Sequence, residues 1–273
     1  MKLHVCSVET EPIHTYVGKL AGGSLLESCE KFGLDLHILG QNMGEFSFGN
    51  RVHEYRKAFQ RFDDSDLVVI MDFRDTIILD YPDNIIKKFL EYDTRILWSS
   101  EIFCIPAWYS LGNKFPDHGY KGRYLNGGMY MGYVSDLNVL FDAQVEMRER
   151  LVNKDNELFA QLAKDLDEDG KFSSKVNGNL LSGKRPEYHD QVIFHLLFLS
   201  GKYGIKIDYE NKVFQNVQLA TRFGRFVEHH TTLFDLIFDF RNKKVTNELY
   251  NTQPSIFHSP GGPRFLSQLG KML

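Results

Sequence analysis

Asp72 and Asp75 stand three residues apart in the stretch LVVIMDFRDTIILD, which covers residues 67–80. They close a run of five apolar residues, Leu67 to Met71, and a second apolar run, Thr76 to Leu79, follows at once. Carboxylates wedged between such runs are costly unless something compensates them. A divalent cation carrying a nucleotide diphosphate would do so, because hard cations take oxygen ligands. An ordinary turn, in which one aspartate caps a helix, is the competing explanation. The length and β-branched content of Leu67–Met71 predict a strand buried on both faces of an α/β sheet. Such sheets bind ligands beyond the carboxyl ends of their strands, which is where the two aspartates fall.

The elements that must hold this pair can be traced along the chain. Lys2 to Val8 reads as a first buried strand, with Thr10, Glu11 and Pro12 beyond its end. Residues 14–32 read as a helix, with Gly22-Gly23 weakening its middle. Leu34 to Leu39 alternates like a strand, and Arg51 to Phe62 reads as a short basic helix. Pro82-Asp83 opens another helix, with Ile85, Ile86, Phe89 and Leu90 at helical spacing. Arg95 to Trp98 is the next strand, and this alternation predicts a parallel sheet with helices on its faces. Ser100 to Gly122 is a long loop of the kind that carries function. Tyr124 to Val134 is a strand whose Gly127 and Gly128 let a ligand or another backbone approach. Residues 136–151 form a helix capped by Ser135 or Asp136. Residues 167–186, rich in Gly, Ser and Asn, read as a mobile excursion of lid type, or equally as a plain surface loop. Asp190 to Ser200 is an apolar helix, Ile205 to Tyr209 a strand, and Leu233–Phe240 with Lys244–Glu248 an antiparallel pair. A final short strand leads His258 into a Pro/Gly-rich turn.

Composition sets the bounds. The 273 residues are enough for a full core, and the apolar and charged fractions, 42% and 25%, are ordinary for a globular chain. A net charge of −4 gives no support for a nucleic-acid partner. Aromatic residues reach 14%, which suits a well-filled core or a carbohydrate site. Cys6, Cys29 and Cys104 have no metal-ligand spacing and read as reduced, buried thiols. With no signal-like start and no membrane-length apolar run, a cytoplasmic protein with no membrane partner is the default expectation.

Several motifs then carry a resemblance. VETE, VVIMDFRDTIIL, SSEIFCIPAW, KGRYLNGGMYMGY, HDQVIFHLLFL, KVFQNVQ and HSPGGP occur in the order of the glycosyltransferase domain of the procollagen lysyl hydroxylase/glycosyltransferases. The chain resembles that domain along nearly its whole length. The resemblance implies a single domain over residues 1–273 with a GT-A-like α/β fold, a mixed, mainly parallel sheet flanked by helices. It implies a UDP-sugar donor, Mn²⁺ as cofactor, and Asp72, Asp75 and His258 as its ligands. Alone, His258 would read as a structural histidine; its place in the motif reverses that. Asn126, Gly127 and Gly128 match a strand lining the sugar pocket, and Asp190-Gln191 matches a catalytic Asp-Gln pair whose aspartate could equally cap a helix. Thr10, Glu11, Phe73, Arg74, Gly261 and Arg264 fall on the nucleotide-sugar side. Glu101, Trp108 and His189 fall on the acceptor side.

There are departures. Arg74 replaces the tyrosine expected to stack on uracil, His189 the first Asp before Asp190-Gln191, and Pro260 an asparagine of the histidine turn. The hydroxylase domain has no counterpart, so no iron- or 2-oxoglutarate-dependent activity is expected. The expected reaction is transfer of glucose from UDP-glucose to galactosyl-hydroxylysine of collagen-like chains, with retention. Alternatives are a UDP-galactose-dependent hydroxylysine galactosyltransferase, a transferase for a non-collagen acceptor, a sugar-nucleotide hydrolase, and a non-catalytic collagen- or glycan-binding module.

Overall fold

The computed structural model describes residues 1–11, 23–41, 43, 49–104, 111–153, 155, 157, 190–217, 221–222, 225–226, 235–239, 241–242 and 244–260. The strands of its main sheet are β1 (Leu3–Val8), β2 (Asp35–Leu39), β3 (Leu67–Met71), β5 (Ile96–Glu101), β6 (Tyr124–Tyr133) and β7 (Ile205–Asp208). They lie in the order β2-β1-β3-β6-β5-β7. β1 runs parallel to β2 and β3, and β5 parallel to β7, while β6 opposes both its neighbours. The sheet is therefore mixed and mainly parallel, as the sequence predicts. Its one reversed strand follows β5 in the chain and inserts between β3 and β5.

β3 is buried along its whole length. Val68 and Ile70 face an aromatic-rich layer with Tyr55, Phe59, Trp98, Tyr130, Phe141 and Phe194. Leu67, Val69 and Met71 face the opposite layer, which holds Leu25, Cys29, Ile85 and Phe89. Period-2 alternation sends successive side chains to opposite faces, and both faces are covered, hence the unbroken apolar run. Each such side chain contributes roughly 1.5–3 kcal/mol on burial. The first layer is covered by α2 (Arg51–Phe59), α4 (Val134–Val152) and α5 (Asp190–Leu199), the second by α1 (Gly23–Phe32) and α3 (Pro82–Leu90). Part of the aromatic content packs here: Trp98 stacks on Tyr130 with ring centroids 4.0 Å apart. All three cysteines are free and buried, and burial pushes the Cys29 and Cys104 thiols up to about 12.

A second, three-stranded sheet sets the functional end of the molecule. It orders β4 (Thr76–Ile78), β13 (Ile256–His258) and β8 (Phe214–Asn216), with β13 antiparallel to β4 and parallel to β8. Small antiparallel pairs, β9 (Thr221–Arg222) with β10 (Arg225–Phe226) and β11 (Leu236–Asp239) with β12 (Lys244–Asn247), complete the described strands.

Local expectations change in four places. β5 runs on through Ser99, Ser100 and Glu101, past the end at Trp98 that the sequence predicts. Its polar residues are buried with partners, Ser99 Oγ donating to Met129 O at 2.8 Å, so their polarity does not mark a loop. α4 begins at Val134 directly out of β6, and Tyr133 holds the cap position without a side-chain hydrogen bond. Ser135 and Asp136 do not cap it; Asp136 instead pairs with Arg95 at 2.7 Å. α2 ends at Phe59 rather than Phe62, and only Ile85 and Phe89 of the α3 stripe are fully buried. Residues 14–22, the helix start predicted there, and the excursion at 167–186 lie outside the described residues. Among the described residues no helix is long and apolar enough to cross a membrane.

Candidate active site

Asp72 follows β3, and its amide donates to Gly128 O of β6 at 2.9 Å. The chain then turns through Phe73 and Arg74 into β4, putting Asp75 beside Thr76. β13 pairs with β4 so that His258 lies opposite Thr76, and Ser259 N donates to Asp75 O at 2.9 Å. The two sheets thus bring together side chains from distant parts of the chain. His258 Nε2 lies 3.7 Å from Asp72 Oδ2 and 3.4 Å from Asp75 Oδ1, and one donor atom from each residue falls within 4.8 Å of the others.

The tautomer of His258 follows from its other nitrogen. Nδ1 is 2.9 Å from Asn216 Oδ1 and 3.1 Å from Asn126 Oδ1. Both amides are oriented by their own donations, Asn216 Nδ2 to Ser100 O at 2.6 Å and Asn126 Nδ2 to Glu101 Oε2 at 3.1 Å. Nδ1 therefore carries the proton, leaving the Nε2 lone pair aimed at the aspartates. Nε2 is buried without a hydrogen-bond partner. A buried acceptor of this kind beside two carboxylates, with its ring fixed through the other nitrogen, has the donor set and outer shell of a divalent-metal site. Burial alone would lower the His258 pKa; Asp75 and Asp72 outweigh it and raise the imidazole above its usual range, so without a metal a proton on Nε2 is favoured, which a bound cation would displace.

Gly128 makes room for this arrangement. A Cβ there would overlap His258 at Cε1 and lie 2.9 Å from Asp72 Oδ2. A Cβ on Gly127 would meet Gln191 Oε1 at 2.8 Å. Gln191 accepts from Gly127 N at 2.7 Å and donates to Glu101 Oε1 at 2.6 Å. Glu101, at the end of β5, is thus held by both Asn126 and Gln191; Glu101 and Asn126 are buried and Gln191 is half-buried. Glu101 is not a loop residue.

Arg51 and Glu9 are the residues that sequence reasoning missed. Arg51, at the start of α2, is 3% exposed and donates to at least three partners. Nε reaches Asp190 Oδ2 at 2.5 Å, Nη1 reaches Asp72 Oδ1 at 2.7 Å, and Nη2 reaches Gly127 O at 2.8 Å. Burial opposes the guanidinium charge, but Asp190 and Asp72 outweigh it and hold the group well above its ordinary pKa. Asp190 is therefore a buried partner of Arg51 at the first turn of α5. No local pattern separates Arg51 from its surface neighbours Arg56 and Lys57; only the distant Asp190 marks it. Asn216 lay within the motif KVFQNVQ, but nothing in the motif assigned it a role.

A cavity of about 380 Å³ opens beside the aspartates, lined by Val8, Glu9, Thr10, Glu11, Asp72, Phe73, Arg74 and Asp75. Arg74 forks onto Glu9, Nε to Oε2 at 2.8 Å and Nη2 to Oε1 at 2.9 Å, and approaches Glu11 at 3.3 Å. Burial would raise the Glu9 pKa, but the bonds from Arg74 and the backbone hold it below its usual value. Phe73 is buried in the apolar layer behind. Trp108, His189, Gly261 and Arg264 lie outside the described residues.

Comparison with known proteins completes the picture. Residues 2–168 match the family described as PLOD GT domain. The human multifunctional procollagen lysine hydroxylase and glycosyltransferase LH3 is 25% identical over 282 residues, covering 98% of this chain and 31% of its own length. The uncharacterized protein R699 of Acanthamoeba polyphaga mimivirus is 30% identical over 141 residues, 48% of this chain and 30% of its own length. The chain spans about a third of the length of these curated relatives. Among solved structures, the galactosyltransferase LgtC in complex with donor and acceptor sugar analogs aligns with 100% of this chain and 96% of its own, at 14% identity and a TM-score of 0.47. With more than half of its residues matched to one family, the chain belongs to the PLOD GT domain family of glycosyltransferases.

Proposed function

We propose that this domain transfers glucose from UDP-glucose to galactosyl-hydroxylysine of collagen-like chains, with retention at the anomeric carbon. The observation that carries the metal-dependent part is the buried, partnerless Nε2 of His258 facing Asp72 and Asp75. In this reading these three side chains hold Mn²⁺, which as a Lewis acid would offset the charge developing on departing UDP. The choice of a collagen-like acceptor is supported by the likeness to the LH3 proteins, named for procollagen lysine hydroxylation and glycosyl transfer, while the choice of glucose rests on the resemblance of the motifs.

The chain's own residues have separable tasks. Thr10, Glu11, Phe73 and Arg74 line the cavity that would receive the nucleotide, with Gly261 and Arg264 on the diphosphate side. Glu9 fixes the Arg74 fork, so the guanidinium presents a flat face where the resembled enzymes use tyrosine. Arg51 and Asp190 hold Asp72 in place, which makes Asp190 a positioning residue in this reading. Asn126 and Gln191 orient Glu101 toward the sugar pocket, and Trp108 and His189 belong to the acceptor side. The buried carboxylates described at the site, Glu9, Glu101 and Asp190, are tied respectively to Arg74, to Asn126 and Gln191, and to Arg51. A front-side displacement therefore suits the site better than a covalent intermediate: the acceptor oxygen bonds C1 as the C1–phosphate bond breaks, and the diphosphate takes the hydroxyl proton.

The test is UDP release from UDP-glucose and UDP-galactose, with and without Mn²⁺ and a galactosyl-hydroxylysine peptide. Peptide-stimulated, Mn²⁺-dependent release with UDP-glucose is expected. Asp75→Ala should lower it about 10³-fold, equivalent to roughly 4 kcal/mol of transition-state stabilisation. Preference for UDP-galactose would reassign the donor, and indifference to the peptide would reassign the acceptor. Mn²⁺-independent turnover would overturn the metal assignment.

A further inference from the structure

A second cluster of metal-ligating side chains lies at the other end of the sheet. His4 of β1 and Asp35 and His37 of β2 project from one face, because His4 is registered with Asp35 and His37 follows two residues later. His4 Nδ1 lies 3.2 Å from His37 Nε2, His37 Nε2 lies 3.2 Å from Asp35 Oδ2, and His4 Nδ1 lies 3.6 Å from Asp35 Oδ2. Four-coordinate zinc with bonds of 2.0–2.2 Å requires its donors to be about 3.3–3.5 Å apart. The observed triangle brackets that spacing. Two imidazole nitrogens and one carboxylate oxygen are also a borderline donor set that suits zinc.

The surroundings hold the ligands in that orientation. His4 Nε2 lies 3.3 Å from Asp66 Oδ2, in the carboxylate–histidine relation that places the proton on Nε2 and turns the Nδ1 lone pair outward. Asp66 is buried and is itself fixed by Lys2 N at 2.6 Å. The Phe62 ring stacks on His4 at 4.0 Å and tilts against His37 at 4.8 Å. His4 is nearly buried, His37 half-buried and Asp35 exposed, so one side stays open for water as a fourth ligand. His4 is paired with Val68, four residues before Asp72, which puts the cluster roughly 13 Å along the strand from the aspartates of the active site.

We propose that His4, Asp35 and His37 bind one zinc ion, a clip that fastens the edge strand β2 to β1 and is separate from the nucleotide-sugar site. An edge strand is hydrogen-bonded on one side only, so a clip to its inner neighbour would help hold it in the sheet. Among the described residues β2 has no partner strand beyond it in the sheet, and Asp35 at its start is exposed. The rival arrangement is metal-free, with a proton on His37 Nε2 shared between His4 Nδ1 and Asp35.

The experiment is a calorimetric Zn²⁺ titration of the full chain, freed of any histidine tag, repeated with Co²⁺ while visible absorption is followed. Zn²⁺ also suits the Asp72–Asp75–His258 triad, so two ions per chain are expected in the parent protein, with one in His37→Ala, one in Asp75→Ala and none in the double variant. His37→Ala should lose the intense visible band of four-coordinate Co²⁺ and keep its Mn²⁺-dependent UDP release. Asp35→Ala, a change at an exposed side chain that spares the fold, should weaken the second Zn²⁺ at least about tenfold. An unchanged Zn²⁺ stoichiometry and Co²⁺ spectrum in His37→Ala and Asp35→Ala would overturn the clip.

Discussion

Gly128→Ala is expected to abolish Mn²⁺-dependent sugar transfer in a chain that still folds. The added methyl would overlap the His258 ring at Cε1 and lie 2.8 Å from Nδ1 and 2.9 Å from Asp72 Oδ2. Neither neighbour can yield cheaply. His258 is pinned through Nδ1 by Asn216 and Asn126, and Asp72 is pinned by Arg51. Overpacking of this size costs about 1–3 kcal/mol of stability, which a domain can absorb. The displaced ligands should weaken Mn²⁺ by about 100-fold, the upper end of what disturbed metal shells lose. Electron paramagnetic resonance titration of Mn²⁺ and UDP release would measure both effects. Adding His258→Ala to the same chain should restore stability without restoring activity, since it removes the clash together with the ligand. A Gly128→Ala protein with parental Mn²⁺ affinity would remove the triad from the mechanism.

Arg51→Ala should cost more stability than any surface change, about 3–5 kcal/mol, because it leaves the Asp190 carboxylate buried without its counter-charge. Asp190 is 2% exposed, so water cannot take the place of the guanidinium. Urea unfolding would read the loss as a lower midpoint at an unchanged slope. Replacing Asp190 with asparagine in the Arg51→Ala background should recover much of it, since an amide needs no counter-ion. Activity should not return with the stability, because Asp72 would still lack its donor from Nη1. Arg51→Lys is expected to fall between, as a point charge cannot bond Asp190, Asp72 and Gly127 O together. Equal stability of Arg51→Ala and the Arg51→Ala/Asp190→Asn chain would show that the pair is not what holds this corner.

Sequence and structure divide along physical lines. β3 was legible because burial on both faces demands an unbroken apolar run, and Asp72 and Asp75 were legible because charge at the end of such a run is conspicuous. β1, α3, α5 and the β11–β12 pair were likewise visible through apolar periodicity, which is a local property. Glu101 was misplaced in a loop because its partners Asn126 and Gln191 are distant in the chain, and a polar residue with satisfied partners looks no different in sequence from a solvated one. Arg51 read only as the first residue of a short basic helix for the same reason. The direction of β6 could not be read either, since side-chain alternation is the same whichever way a strand runs.

The residue types therefore determined by themselves that two carboxylates would stand at the carboxyl end of a buried strand, and the ordered motifs tied His258 to them. Only the tertiary structure decided that Gly128 leaves the space for the His258 ring, that Asn216 and Asn126 turn its Nε2 toward the aspartates, and that Arg51 bridges Asp190 and Asp72. Those are matters of which groups lose water and beside what, and desolvation belongs to the packed arrangement, not to any stretch of chain.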